Sequence, residues 1–438
     1  MQYLPNIVFA LTLLLGIGFF TINIRKISRN INLGKDLNRN DKKSERLKNM
    51  MMIALGQSKM IKRPFSGFLH IVVYIGFIII NIEVLEIIID GLFGTHRIFK
   101  DFLGTQIYGF LIGTFEVLAA LVFIAVIIFW TRRNLSNIKR FLSSEMKGWP
   151  KKDGNLILYF EMVLMSLFLL MNAADASFQQ AGIGNPMSQF ITPLFDGFSA
   201  DSLHLIERTA WWIHILGILV FLNYLYYSKH LHILLAFPNT YFANLNPKGQ
   251  FNNLEAVTNE VKIMMDPSAD PYATPESSEE EAIPEKFGVS EVTDLNWVQL
   301  MNAYTCTECG RCTSACPANL TGKKLSPRKI MMDTRDRLEE VGRNIDANKG
   351  VFKDDGKQLL NDYITPEELW ACTSCNACVE ECPVNIDPLS IILDMRRYLV
   401  MEQSAAPQEL NAMMSNIENN GAPWQYNQQD RLNWAKEE

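Results

Sequence analysis

The sequence predicts a mainly α-helical protein in two parts, a five-helix transmembrane bundle followed by a helical domain on the cytoplasmic side. Two observations carry that reading. Nearly all long apolar runs of the 438-residue chain precede residue 237, and all eight cysteines follow residue 305. The averages, 48% hydrophobic and 20% charged, conceal this division. A net charge of -6 argues against nucleic acid as a partner.

Crossing a hydrocarbon core about 30 Å thick takes roughly 20 apolar residues of helix. Five stretches suffice, near 5–24, 67–92, 107–130, 155–174 and 209–234. The first has no basic residue before it and no small-residue cleavage site after it, so it is expected to stay as a helix rather than be removed as a signal. Lys and Arg concentrate in cytoplasmic loops. Residues 25–63 hold twelve and 132–152 hold seven, against two in 93–104 and none in 173–207. The N-terminus is therefore expected outside, and everything after about residue 237 inside, as a multi-pass protein of the cytoplasmic (inner) membrane.

Polar side chains at membrane depth are costly and usually functional. The second span opens "GFLHIVVYIGFIII" with His70 about one turn inside, and the fifth reads "WWIHILGILVFLNYLYYSKHLHI". On one continuous helix His214 and His232, eighteen residues apart, share a face about 27 Å apart along the axis, and His230 points away. His70 and His232 could then clamp a haem iron from two sides; the ordinary alternative is a histidine reaching toward interfacial water. Glu83, Glu86, Glu116 and Glu161 also fall within the spans, where such groups recur in proton paths and quinone pockets. Glu86 and Glu161 are the two most simply read as helix-end residues. A quinone pocket is expected either on the inner side, beside His70 and Glu161, or on the outer side, near Glu116, Glu83 and His214.

Five helices, an outward N-terminus, a histidine on the second helix and an eighteen-residue histidine pair on the fifth resemble the b-type cytochrome subunit of respiratory nitrate reductases and heterodisulfide reductases. That resemblance covers about residues 1–240. It implies two histidines on each of the second and fifth helices, and two haems. Here the second helix departs from the pattern, with Ile80 where its second histidine would fall. One b haem held by His70 and His232 is therefore expected, while a second using His214 would have only His204 or His96 to turn to.

Residues 266–288, "DPSADPYATPESSEEEAIPEKFG", read as an extended surface linker, and the linker as a whole is placed at 241–294. No phosphate-binding glycine fingerprint follows it, so no nucleotide or flavin site is proposed. Beyond it, "CTECGRCTSACP" and "CTSCNACVEECP" repeat the spacing C-x2-C-x2-C-x3-C-P and account for every cysteine. A cytoplasmic location speaks against disulfides. Zinc ribbons use separated C-x2-C pairs instead. In this spacing three thiolates wrap one cluster and the fourth reaches the neighbouring one. Cys306, Cys309, Cys312 and Cys382 are thus assigned to a first 4Fe-4S cluster, and Cys372, Cys375, Cys378 and Cys316 to a second. Pro317 and Pro383 close each loop.

The segments "LSPRKIMMDTRDRLEEVG" and "LSIILDMRRYLVME" after the two motifs have helical periodicity. Together they resemble the helical ferredoxin module of heterodisulfide reductase and succinate dehydrogenase iron-sulfur subunits, over about 295–402. The polar tail 403–438 resembles the stretch that precedes a cysteine-rich catalytic domain in heterodisulfide-reductase-like proteins. With no cysteine left over, a catalytic cluster or flavin is expected on another chain, with Trp424 and Trp434 as docking anchors or as residues packed on the module. The expected function is a membrane-bound subunit moving electrons between a cytoplasmic oxidoreductase, cysteine-rich or flavin-bearing, and membrane quinone. The alternative is a haem-free anchor that holds a ferredoxin at the membrane.

Overall fold

The computed structural model describes residues 3–266 and 286–436, and among these it contains helices and no strand. Five helices are long and apolar enough to cross a membrane: α1 Leu4–Ile31, α3 Pro64–Phe93, α4 Ile98–Asn134, α5 Trp149–Ala174 and α6 Ala200–Tyr224. Proline stands in the first turn of α1, α3 and α5, where its missing N–H costs nothing. Gly94 at φ +72° ends α3. Helix α4 is bent at Gly104, whose φ of 74° and ψ of 159° only glycine adopts readily. Between α1 and α3 lies α2, Lys43–Met50.

The helices close on one another through Phe9, Ile80, Phe115, Phe168 and Trp211, while Leu14, Leu15, Phe68 and Phe110 stay on the outside, as lipid-facing residues do. A second core does not stop at the end of the bundle. It runs from Ile27, Ile157, Phe221 and Leu231 into Leu300, Tyr304, Ile330 and Met395 of the cysteine half. The two halves are therefore built around shared apolar surface and not merely tethered.

The fifth span departs from the expected continuous helix over 209–234. Helix α6 ends at Tyr224, Ser228 is extended (φ -116°, ψ 147°), and α7, His232–Tyr241, starts afresh. The cause is Asp153 of α5. Its carboxylate accepts from Tyr224 Oη at 2.6 Å, Ser228 Oγ at 2.7 Å and the Lys229 amide at 3.1 Å, replacing the hydrogen bonds a continuing helix would make.

After α8, Glu255–Met265, part of the expected linker lies outside the described residues. Its final stretch packs into the cysteine half, where Val289 and Val292 are buried. That half contains α9 Trp297–Thr305, α10 Arg311–Ala315, α11 Pro327–Ala347, α12 Ala377–Glu381 and α13 Pro388–Met401. The tail helix α14, Gln408–Asn420, buries no residue. Trp424 and Trp434 are 62% and 76% exposed, so neither packs on the module.

Close helix contact depends on small residues. A Cβ on Gly76 of α3 would stand 2.4 Å from Val122 Cγ2 of α4. Gly76→Leu should lower stability by about 1–3 kcal/mol through overpacking, read as a drop in the thermal midpoint in detergent. Gly18→Leu, with nothing within 4 Å of the new carbon, should leave the midpoint unchanged.

Candidate functional site

The two cysteine loops are built alike. In the first, Glu308 and Gly310 take left-handed φ values of 54° and 70°; in the second, Ser374 and Asn376 repeat them at 55° and 61°. Glycine and asparagine tolerate this region best. The turns draw backbone amides toward sulfur: Ser374 N lies 3.4 Å from Cys372 Sγ and Ile386 N 3.3 Å from Cys382 Sγ. Each loop then enters a short helix, α10 or α12, and these two pack together.

All eight thiols are free. Cys306, Cys309, Cys312 and Cys382 line one cavity, and Cys316, Cys372, Cys375 and Cys378 line another, with Cys378 also on the wall of the first. Among the described residues no three His, Cys, Asp or Glu side chains are grouped tightly enough to share a single metal ion. Thiols spread around a cavity suit a polynuclear cluster, whose iron atoms each take one of them. Burial pushes the Cys306 thiol up to about 12 and Cys382 to about 11, so metal must displace protons to bind.

The first cavity faces the bundle. Lys59, from the segment before α3, donates to Cys382 O at 3.1 Å and Glu380 O at 3.4 Å. Arg311 donates to Lys59 O at 3.0 Å. Arg63 pairs with Glu381 at 3.2 Å and Lys62 with Glu380 at 2.6 Å. The wholly buried Arg328 donates to Arg140 O and to Glu145 Oε1, each at 2.7 Å. Its guanidinium lies so near Gly310 that a Cβ there would be 2.5 Å from Nη1. Glu308, inside the first motif, is held by Lys229 and by Arg335 at 2.8 Å. These two cations keep its carboxyl below the usual range against the opposing effect of burial.

The histidines gather at the same end. His230 and His232, expected on opposite faces, have ring centroids 5.4 Å apart, because the helix is interrupted before them. Burial, reinforced by His232 and His70, pushes His230 down to about 3. His232 Nδ1 lies 3.1 Å from Lys229 O. Nδ1 of His70 and of His214 are buried without partners, and the His214 ring lies 6.3 Å from that of Phe168. His96 bonds Asp175 at 3.2 Å, and the His204 side chain is 75% exposed.

The glutamates divide. Glu116 is fully buried and accepts from Asn172 at 3.0 Å and from the amides of Met187 and Ser188 at 2.9 and 3.0 Å, which makes it the anchor of the loop after α5. Glu86 accepts from Tyr108 and the Phe99 amide. Glu83 Oε2 is buried without a partner, and Glu161 is 9% exposed. Reasoning from sequence missed Lys59, Asp153, Lys229, Glu308 and Arg328. Only Glu308 carried a signal, as a charged residue between two motif cysteines.

The 4Fe-4S dicluster domain family matches residues 305–386, which span all eight cysteines. The chain is 29% identical to the probable iron-sulfur-binding oxidoreductase FadF of Bacillus subtilis, over 93% of this chain and 57% of the relative. It is 26% identical to the EtfAB:quinone oxidoreductase of Syntrophomonas wolfei, over 92% of this chain and 55% of the relative. It is also 33% identical to a probable membrane-anchored ferredoxin of Chromohalobacter salexigens, over 34% of this chain and 24% of the relative. Further relatives are heterodisulfide reductase subunits. The chain thus spans a little over half the length of the first two of these relatives. No solved structure matches it. The relatives are iron-sulfur electron-transfer oxidoreductases or their subunits, and with five apolar helices this chain has the character of a membrane protein.

Lys229→Met keeps the packing volume but leaves Glu308 with Arg335 alone. Losing a hydrogen bond to a buried charge should cost about 1.5–3 kcal/mol. The expected result is faster protease cleavage between the halves and a lower unfolding midpoint, with Lys229→Arg intermediate.

Proposed function

We propose that the chain is a membrane-bound electron-transfer subunit that moves electrons between an oxidoreductase partner and membrane quinone. The observation that carries this is the gathering of the eight cysteines around two adjoining cavities that share Cys378, the first of them facing the histidine-bearing end of the bundle. Cys306, Cys309, Cys312 and Cys382 would hold the first 4Fe-4S cluster, and Cys372, Cys375, Cys378 and Cys316 the second. Bound there, the clusters supply one-electron carriage, and their adjoining cradles keep the transfer short.

The chain's own residues do the rest. Backbone amides at Ser374 and Ile386 donate to thiolate sulfur and stabilise added negative charge. His70 and His232 are the proposed ligands of one b haem. The contact of His232 Nδ1 with the Lys229 carbonyl favours that nitrogen as donor, which leaves Nε2 free for iron. A second haem on His214 is disfavoured, because His96 is engaged with Asp175 and His204 faces outward. For the quinone, the inner pocket at Glu161 is preferred to the outer one: Glu116 is saturated by hydrogen bonds, which leaves Glu83 as the outer side's free carboxyl.

The proposed topology puts the N-terminus outside and the cysteine half in the cytoplasm of a cell whose inner membrane carries the bundle. The proposed units are 1–240, 241–294, 295–402 and 403–438, the last with Trp424 and Trp434 exposed toward a partner. That partner is a flavoprotein or a cysteine-rich catalytic subunit. The similarity to an EtfAB:quinone oxidoreductase supports a quinone-linked role.

A dithionite-reduced spectrum of the purified protein separates this from a haem-free anchor, since b haem gives a sharp α band and clusters only broad bleaching. His70→Ala or His232→Ala should abolish that band; its full retention in the His70 variant would sink the pairing. Cys316→Ser should damage the second cluster while sparing the first, as seen by electron paramagnetic resonance.

A further inference from the structure

The two cysteine cavities differ in depth and in charge, and the two differences oppose each other. Burial raises the thiols of Cys306, Cys312 and Cys382 in the first, whereas Cys375 in the second is exposed. Desolvation, which disfavours the more negative reduced form of a cluster, therefore weighs more on the first site, and charge must outweigh it.

Around the first cavity stand Lys59, Arg311 and Arg140, none paired with a carboxylate among the described residues. Lys59 donates only to the carbonyls of Glu380 and Cys382, and Arg311 to Lys59 O and Met60 Sδ. Arg140 lies over the aromatic ring of Phe141 with its Nε unpartnered. Arg140 and Arg311 act electrostatically on Cys309, and Lys59 on Cys382. Arg328 also lines this cavity, but Glu145 neutralises it, as Lys229 and Arg335 neutralise Glu308. The second cavity has one such cation, Arg396, bonded to the carbonyls of Leu369 and Cys372 and to Ser374. It is opposed by Asp387, whose negative charge bears on Cys378. The balance is three cations hydrogen-bonded to no carboxylate among the described residues, tempered by Glu381, which Arg63 holds, against one cation opposed by Asp387, which itself faces Arg39.

We infer that the Cys306, Cys309, Cys312 and Cys382 site has the higher reduction potential of the two, so that electrons arriving at the exposed Cys375 edge run inward to the bundle. Positive charge favours the form of a cluster that carries the extra electron. The assignment rests on the two-cluster reading above. In each transfer one electron leaves the second site, oxidising it, and reduces the first. A low-potential one-electron donor protein replenishes the second site, and the quinone proposed above drains the first in two successive one-electron transfers, taking up two protons to become the quinol. The direction of flow is thus built into side chains of the membrane half itself, since Lys59 and Arg140 belong to its loops.

The test is a redox titration of the full-length, detergent-purified protein, followed by electron paramagnetic resonance, with iron content measured alongside. Two separable cluster signals and about eight non-haem irons per chain, counted apart from the proposed haem, are required by the two four-iron sites assigned here; fewer would overturn that reading and this inference together. With both signals present, Lys59→Met should shift the signal that appears first to lower potential and leave the later one in place. Arg140→Met should do the same, and serves if the Lys59 variant does not fold. Arg396→Met and Cys375→Ser should move only the later signal. If Lys59→Met or Arg140→Met moves the later signal, or neither signal, the inference fails while the two-cluster reading stands.

Discussion

The arrangement of the whole molecule turns on one buried carboxylate. Asp153 draws Ser228 and the Lys229 amide out of helical register, and that same turn throws the Lys229 ammonium across to Glu308 in the first cysteine loop. Arg335 closes the chain from the other side. Burying four charges is expensive, and the cost is offset only if every member is paired and hydrogen-bonded. Here each one is, so the network has a single good arrangement. It fixes the cysteine loop to the strand of chain that carries His230 and His232, two elements whose separation governs any electron exchange between them.

Around that strut the apolar surfaces agree. Ile27, Phe221 and Leu231 from the membrane half share a core with Leu300, Tyr304 and Met395, and Asn30 of α1 donates to Tyr304 at 2.9 Å. Inter-domain contacts within a chain are commonly small and polar, and then relative motion is the default. A continuous core removes that freedom. The duplicated cysteine loops need the same rigidity, because left-handed turns at Glu308 and Ser374 are tolerable only where the surroundings enforce them.

Much of this was legible in the sequence. Hydropathy found all five spans, since a helix in lipid must be apolar over its whole length, but placed only five of their ten ends within four residues and missed the others by six to ten. The cysteine spacing suggested two groups of four; Cys306, Cys309, Cys312 and Cys382 share one cavity and Cys316, Cys372, Cys375 and Cys378 the other, with Cys378 on both walls. The break at Ser228 was not legible, because it is imposed by a carboxylate 75 positions away and the residues that follow remain as apolar as a helix would be. The phase relation drawn between His214 and His232 failed with it. The sequence set Glu161 apart as a helix-end residue but gave no sign of what holds Glu116. It looks like an acid stranded in a span, yet it is saturated by amides of a distant loop.

The basic loops show most clearly how one sequence feature serves two physical ends. Lys59, Lys62, Arg63 and Arg140 enter the reading first as topology markers, members of the runs that bias a loop toward the cytoplasm. In the folded chain they turn toward the cysteine half. Lys62 and Arg63 pair with Glu380 and Glu381 on α12, whereas Lys59 and Arg140 form no ion pair among the described residues. Topology needs only that positive charge be present on the loop, so it places no demand on where each side chain points. The cysteine cavities do make that demand, because a cation acts on a site through distance and through the partners that cancel it. Charge counting therefore recovers the first requirement and is blind to the second, which is why the residues closest to the candidate chemistry were hidden in the most easily read part of the sequence.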